Sequence, residues 1–363
     1  MTRSKKTIYV DGIPLIGKEA SPFIIAEIGT NHGRNLATAR SMIEGLVDTG
    51  CDCVKFQIYE PDEIVSGAIM TKDYGLENVY GDISAAEMFE QYLKTPKEWF
   101  PELIDLAHGL GLKAAATIHG NDGVEWAKTQ KLDFIKIASM DHTNLPLLEN
   151  LVDKITVPIL ISFGMAELED IDRAMEVLKH HRPGVGLFYC VAIYPPGPRD
   201  IALGNIKYLA DCFGVPVGFS DHTTNIATAG AALACGATFF EKHVTHDRTA
   251  PGPDHPFALE LSEFSEYVRT LHEIHGFLGY EGFRTPSERE RGNRKHYLKS
   301  IIAKHNKRAG EVLSADDVYL ARPGTGIPPR FLKVVVNAVL SRDICAEKPL
   351  EWQDIGRDQP FES

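Results

Sequence analysis

No apolar run in this chain reaches the roughly 20 residues that a membrane-crossing helix needs. A helical membrane protein is therefore not expected. The opening stretch MTRSKKTIYV carries basic residues but no apolar core of the kind a secretory signal has, so the expected location is cytoplasmic. There is also no basic block, and the net charge is −12. Nucleic acid and anionic membrane surfaces are thus poor partners, although a few local lysines can still hold a small anion. The six cysteines (Cys51, Cys53, Cys190, Cys212, Cys235 and Cys345) form no CxxC pair and no disulfide-like framework. They are expected as reduced thiols, mostly in the core.

What the chain does have is alternation. Short apolar runs are each followed by a helical pattern: FIIAE before residues 36–49, CVKFQ before 97–110, KAAAT before 122–130 and FIKIA before 145–154. PILISF precedes 167–179, VGLFYC precedes 203–213, PVGFS precedes the small-residue stretch NIATAGAALACG, and TFFEKH precedes 261–278. Continuous apolar strands separated by helices imply a parallel sheet buried on both faces. Eight such units in about 260 residues imply an α/β fold, a (β/α)8 TIM barrel. The start, TIYVDGIPLIG, has a turn-like Asp11-Gly12 between apolar residues and predicts a hairpin closing one barrel end. The charged stretch 284–296 reads as a linker. Beyond it come short strands and turns with no long helix, so the domains are expected at 1–284 and 299–363, with a linker at 285–298.

In such a barrel the site lies at the carboxyl ends of the strands. The residues there are Glu27, Lys55, Gln57, Thr117, Lys136, Ser139, Ser162, Ser220, His222 and His243. Taken singly, each has an ordinary explanation. A serine or threonine at a strand end often caps the next helix, a lysine often reaches solvent along its stem, and a histidine is often a satisfied core residue. Together they say more, because two lysines and two histidines at one mouth repel unless anions or a metal join them. Lys55 and Lys136 suit a phosphate or carboxylate, with Thr117, Ser139 and Ser220 donating hydrogen bonds. His222 and His243 suit one divalent ion, Mn²⁺ or Mg²⁺, with positions left open. His246 reads as a loop residue. The stiff PGPD turn holds Asp254 over the same mouth, where a carboxylate can bond sugar hydroxyls.

The segments FIIAEIGTNHGRNLATARSMI, DCVKFQIY, FIKIASMD, ISFGMAE, GFSDHT and EKHVTHDRTAPGPDH resemble the sialic acid synthases. That family, also called N-acetylneuraminate synthases, includes legionaminic and pseudaminic acid synthases. The tail YLARPGTGIPP resembles their small C-terminal antifreeze-like (SAF) domain. The resemblance implies condensation of phosphoenolpyruvate with an open-chain N-acylated amino sugar such as N-acetylmannosamine, with release of phosphate. It implies that Lys55, Thr117, Lys136, Ser139 and Ser220 hold phosphoenolpyruvate and that His222 and His243 hold the metal. Glu27 orients or deprotonates groups beside it, which places Glu27, Lys55, Lys136 and His243 among the catalytic residues. Gln57, Tyr194 and Asp254 match sugar-contacting positions. Arg322 matches an arginine that reaches the N-acyl group from the partner subunit, implying a domain-swapped homodimer.

Three positions depart from the family pattern: Ala192 in place of Asn or Ser, Phe163 in place of Thr, and Asp141 in place of Glu. All three remove or shorten polar contacts near the mouth and so bear on the sugar acceptor. A metal-dependent hydrolase or aldolase on the same barrel is the alternative, but it leaves the lysine pair without a role. An ice-binding tail needs a flat threonine-rich surface, which the tail lacks.

Overall fold

The computed structural model describes residues 7–10, 13–17, 20–279 and 284–357, and these fall into two compact units that divide after Gly279. In the first unit a short antiparallel hairpin, β1 (Thr7–Val10) and β2 (Ile13–Gly17), precedes eight parallel strands. The strands are β3 (Phe23–Glu27), β4 (Cys53–Ile58), β5 (Lys113–Ile118), β6 (Phe134–Ile137), β7 (Ile159–Phe163), β8 (Val185–Cys190), β9 (Val217–Asp221) and β10 (Phe239–Thr245). They pair in chain order, and β10 also pairs with β3, which closes the barrel. The strands are buried on both faces, which accounts for their unbroken apolar runs. One alternate set of side chains faces the surrounding helices, and the other fills the interior.

The interior divides into two levels. Its lower part is an apolar cluster of Phe23, Ile25, Cys53, Ala115, Phe134, Leu160, Phe188 and Phe239 together with Ile8 and Ile16 of the hairpin. The hairpin therefore plugs the amino-terminal end, as expected, although the Asp11-Gly12 turn itself lies outside the described residues. Packing here is close: a methyl group on Gly218 would lie 2.5 Å from the Phe239 carbonyl oxygen. The upper part of the interior is polar and is described below. Between β4 and its helix (Phe100–Gly109) the chain makes a long excursion of short turns and helices, residues 59–99, which sends Tyr74, Leu76, Met88, Phe89 and Leu93 to the barrel mouth. All six cysteines are free. Only Cys51, Cys53 and Cys190 are buried, while Cys212 and Cys345 are exposed, so the expectation of mostly core thiols holds for half of them.

The stretch read as a linker is partly helical, from Glu288 to Tyr297. The Ser287 side chain accepts from the Glu290 amide at its start. Glu288 and Glu290 lie in its first turn and Arg294, Lys295 and His296 in its last, an order that suits the helix dipole. None of its residues is buried. The hydrophobic period that usually announces a helix is therefore absent. The second unit pairs β12 (Ser300–Ala303) with β13 (Val318–Ala321) antiparallel, after a two-residue strand β11 (Leu259–Glu260) that pairs with the end of β10 in the first unit. Its own small core includes Ile301, Leu313, Ile327, Val335, Leu340 and Leu350.

Candidate active site

At the carboxyl ends of the strands lies a cavity of about 490 Å³. Eleven of the twelve expected site residues line it: Glu27, Lys55, Gln57, Thr117, Lys136, Ser139, Tyr194, Ser220, His222, His243 and Asp254. Arg322 does not; it is exposed in the second unit, its guanidinium 5.2 Å over the Tyr297 ring. Ser162 also faces the cavity, with a buried hydroxyl that has no protein partner.

The two lysines are held by carboxylates. Lys55 is ion-paired with Glu27, donates to Thr117 Oγ1 at 2.6 Å and lies 3.6 Å from Glu241. Lys136 is ion-paired with Glu241, which also accepts from Ser220 Oγ at 3.0 Å. Both lysines and both glutamates are almost fully enclosed. Burial alone disfavours the Lys55 charge, yet Glu241 and Glu27 outweigh it and raise its pKa. Burial also works against ionisation of Glu241, but Lys136 and Lys55 outweigh it and hold its carboxyl well below the usual range. For Glu27 burial prevails over Lys55, and Glu241 adds to it, so the pKa is raised. Glu241 carries the firmly ionised carboxylate and Glu27 is the one that takes a proton more readily.

Glu241 was not anticipated, although the sequence contains the signal. Side chains two apart on a strand share a face. If His243 faces the mouth, Glu241 faces inward one pleat deeper, and Phe239 lies below that. The mutual repulsion expected among lysines and histidines is thus offset by carboxylates of the chain itself. The neighbouring Lys242 points the other way. Its ammonium bonds the carbonyls of Asp221 and Thr223 outside the cavity and takes no part in the site.

The imidazoles of His222 and His243 are 5.6 Å apart between ring centres. His222 Nδ1 lies 3.2 Å from the Val191 carbonyl. A carbonyl can only accept, so Nδ1 carries the hydrogen and Nε2 keeps its lone pair. Burial lowers the His222 pKa to about 4. Burial, with His222 nearby, lowers that of His243 as well. Both rings are therefore neutral near pH 7, the form that ligates metal. His243 Nδ1 is a buried nitrogen with no hydrogen-bond partner. A buried imidazole nitrogen without a hydrogen bond, with the Asp254 carboxylate 3.5 Å away and a second neutral imidazole 5.6 Å off between ring centres, fits a divalent cation. Among the described residues no cluster of three or more ligating side chains is preassembled, so a cation held by the two imidazoles would take its other ligands from substrate and water.

Asp254 stands over this pair. Its carboxylate accepts from Thr30 Oγ1 at 3.3 Å and lies 3.5 Å from His243 Nδ1. Burial, reinforced by Glu27, raises its pKa to about 6. Gly29 has φ +53°, and a side chain there would come within 2.9 Å of Glu27 Oε1 and 3.1 Å of Asp254 Oδ2. Glycine is what lets the backbone turn this close to two carboxylates. Gln57 donates to Glu27 at 3.2 Å, and the Tyr194 ring packs on His222 at 4.4 Å and on Phe257 at 5.2 Å. The cavity can therefore hold one anion between lysines, one cation between imidazoles, and a polyhydroxy ligand under Asp254 and Tyr194.

Residues 42–282 match the NeuB family model, and residues 299–356 match the SAF domain. The chain is 31% identical to the N,N'-diacetyllegionaminic acid synthase of Legionella pneumophila, over 95% of this chain and 98% of that protein. It is 30% identical to the N-acetylneuraminate-9-phosphate synthase of Mus musculus, over 93% of this chain and 94% of that protein. The crystal structure of N-acetylneuraminic acid synthetase from Leptospira borgpetersenii, in complex with citrate, superposes with a TM-score of 0.69 at 28% identity, covering 81% of this chain and 96% of that one.

Proposed function

The chain belongs to the NeuB family and ends in a SAF domain, and on that premise we propose that it is a nonulosonic acid synthase. It joins phosphoenolpyruvate to the aldehyde of an open-chain N-acylated amino sugar and releases phosphate. The observation that carries this reading is the buried lysine pair, Lys55 and Lys136, on the same cavity as two neutral imidazoles. An anion site and a cation site so close together suit a reaction between an enol phosphate and an aldehyde.

Lys55 and Lys136 bind the phosphate and carboxylate of phosphoenolpyruvate, and Thr117, Ser139 and Ser220 donate hydrogen bonds to them. His222 and His243 hold a divalent ion, Mn²⁺ or Mg²⁺, which when bound polarises the aldehyde oxygen as a Lewis acid. Gln57, Tyr194 and Asp254 orient the sugar. C3 of phosphoenolpyruvate attacks the aldehyde carbon, water adds at C2, and phosphate leaves by cleavage of its C2–O bond. The aldehyde oxygen gains one proton; the added water gives up one proton on adding and its second to the departing phosphate as C2 becomes a carbonyl. Glu27, whose carboxyl takes a proton more readily than that of Glu241, moves a proton to the aldehyde oxygen from Oε2, the carboxylate atom paired with Lys55. Arg322 from the SAF unit of a partner subunit meets the N-acyl group, which makes the working enzyme a homodimer.

The test incubates the purified chain with phosphoenolpyruvate and a panel of amino sugars, reading phosphate and product mass. Phosphate is expected only when both substrates are present, to stop on chelation, and to resume with Mn²⁺ or Mg²⁺. Turnover of either substrate alone would indicate a hydrolase or aldolase and overturn the reading.

A further inference from the structure

One buried polar pair on this cavity has no part in the scheme above. His119 Nδ1 lies 2.9 Å from Asp141 Oδ2, and both residues are buried. His119 follows the end of β5, and Asp141 lies in the turn after β6. We propose, resting on the synthase reading, that His119, held by Asp141, reads the sugar acceptor by taking a hydrogen bond from a hydroxyl or acylamino N–H remote from the aldehyde.

Position is the first argument. β5 and β6 are the third and fourth strands around the barrel, and β9 and β10, which deliver His222 and His243, are the seventh and eighth. The pair thus faces the two imidazoles across the mouth. An extended sugar whose aldehyde lies at the imidazoles directs its other end toward His119. Depth is the second. His119 comes two residues after Thr117, just past the end of β5, and lines the same cavity nearer the mouth. It stands above the lysine layer, at the level of the sugar and not of the anion. Chemistry is the third. A carboxylate accepts the Nδ1 hydrogen and fixes ring and tautomer, leaving the Nε2 lone pair for a ligand. Tyr59 packs edge-on against His119 at 5.9 Å and against Phe89 at 5.7 Å. The wall beside His119 is therefore largely aromatic and aliphatic, with Phe89, Leu76, Met88 and Leu93 lining the cavity beside Tyr74. A fixed acceptor atom in a largely apolar wall selects a sugar with a polar group at that point, flanked by a methyl or acyl substituent. Rejection of an analogue lacking that group follows from the stranded imidazole.

The experiment measures kinetics for both substrates with 2-acylamino hexoses that differ at C4 and C6 as hydroxyl, deoxy or acylamino. It compares the full chain with His119→Leu, His119→Gln and Asp141→Asn. His119→Leu is expected to raise the sugar KM about 10- to 100-fold for the preferred acceptor. The phosphoenolpyruvate KM should stay as it is, and the preference over the analogue lacking the polar group should collapse. His119→Gln, which keeps an acceptor atom, should restore part of the preference, and Asp141→Asn should fall between. If His119→Leu does not fold, the glutamine and asparagine variants decide by the same shift in preference. An unchanged preference, or an equal rise in the phosphoenolpyruvate KM, would show that the pair only clasps the ends of β5 and β6. A wild-type chain that yields no product with any sugar sinks the synthase reading and this inference with it; a working synthase indifferent to His119 sinks this inference alone.

Discussion

At the scale of single residues, the site turns on how buried charges are compensated. Glu241 has Lys136, Lys55 and Ser220 around one carboxylate. Removing its charge leaves two enclosed ammonium groups with Glu27 as their nearest counter-charge. Breaking a buried pair from one side typically costs about 3–5 kcal/mol. Glu241→Gln should therefore lower the melting temperature of the free protein clearly. An anion bound between the lysines then supplies the missing charge, so phosphoenolpyruvate should raise the melting temperature of the variant more than that of the wild type. Thermal unfolding with and without the ligand checks this, and an equal rise in both proteins would show that the lysines are not its anchor. Most of this layer was legible in the sequence, since polar residues closing apolar strands stand out. Two residues were not read. Glu241 is masked by its charged neighbours in the run EKH, although a period of two assigns it to the interior. His119 lies beyond the apolar run KAAAT that marks the strand in the sequence, whereas the strand runs to Ile118 and so brings His119 to the mouth. The Asp141 departure from the family pattern was visible, but its partner appears only in three dimensions.

Among elements, the barrel separates stability from chemistry. The strand–helix alternation could be read because each strand is buried on both faces, and the hairpin because its apolar residues flank a turn. The helix Glu288–Tyr297 could not, because it buries no residue and shows no apolar period; its capping serine and charge order were the only signals. The excursion 59–99 was equally opaque, being built of single turns each too short for a pattern. The hairpin offers a clean test of the division. Ile16 is fully buried in the lower cluster with Ile8, Phe23 and Phe239, at the barrel end opposite the site. Ile16→Ala deletes three buried carbons and should cost about 2–5 kcal/mol in chemical denaturation. The kinetic constants should stay near those of the wild type, since the amino-terminal end of such a barrel serves stability. A loss of turnover at full folding would mean that the plug also shapes the mouth.

For the whole molecule, the open matter is why a catalytic barrel carries a second unit with its own core. The second unit holds Arg322, exposed and resting by its guanidinium on Tyr297. A guanidinium offers a rigid fork of donors suited to an acyl carbonyl, a geometry that lysine does not reproduce. The proposed site has no other residue assigned to the N-acyl group, and the family resemblance supplies the arginine from a partner subunit. Two inactive variants, His222→Ala and Arg322→Ala, test this when co-expressed so that mixed dimers form. Under sharing in trans, one site of each mixed dimer joins an intact barrel to an intact tail, and the other carries both lesions. Random pairing makes about half of the dimers mixed, so about a quarter of all sites should work. If Arg322 serves its own barrel, every site keeps one lesion and no activity returns. Native mass spectrometry establishes that mixed dimers are present. Activity near a quarter of the wild-type value then supports an enzyme whose acceptor pocket is completed by its twin, and inactive mixed dimers would confine Arg322 to its own chain.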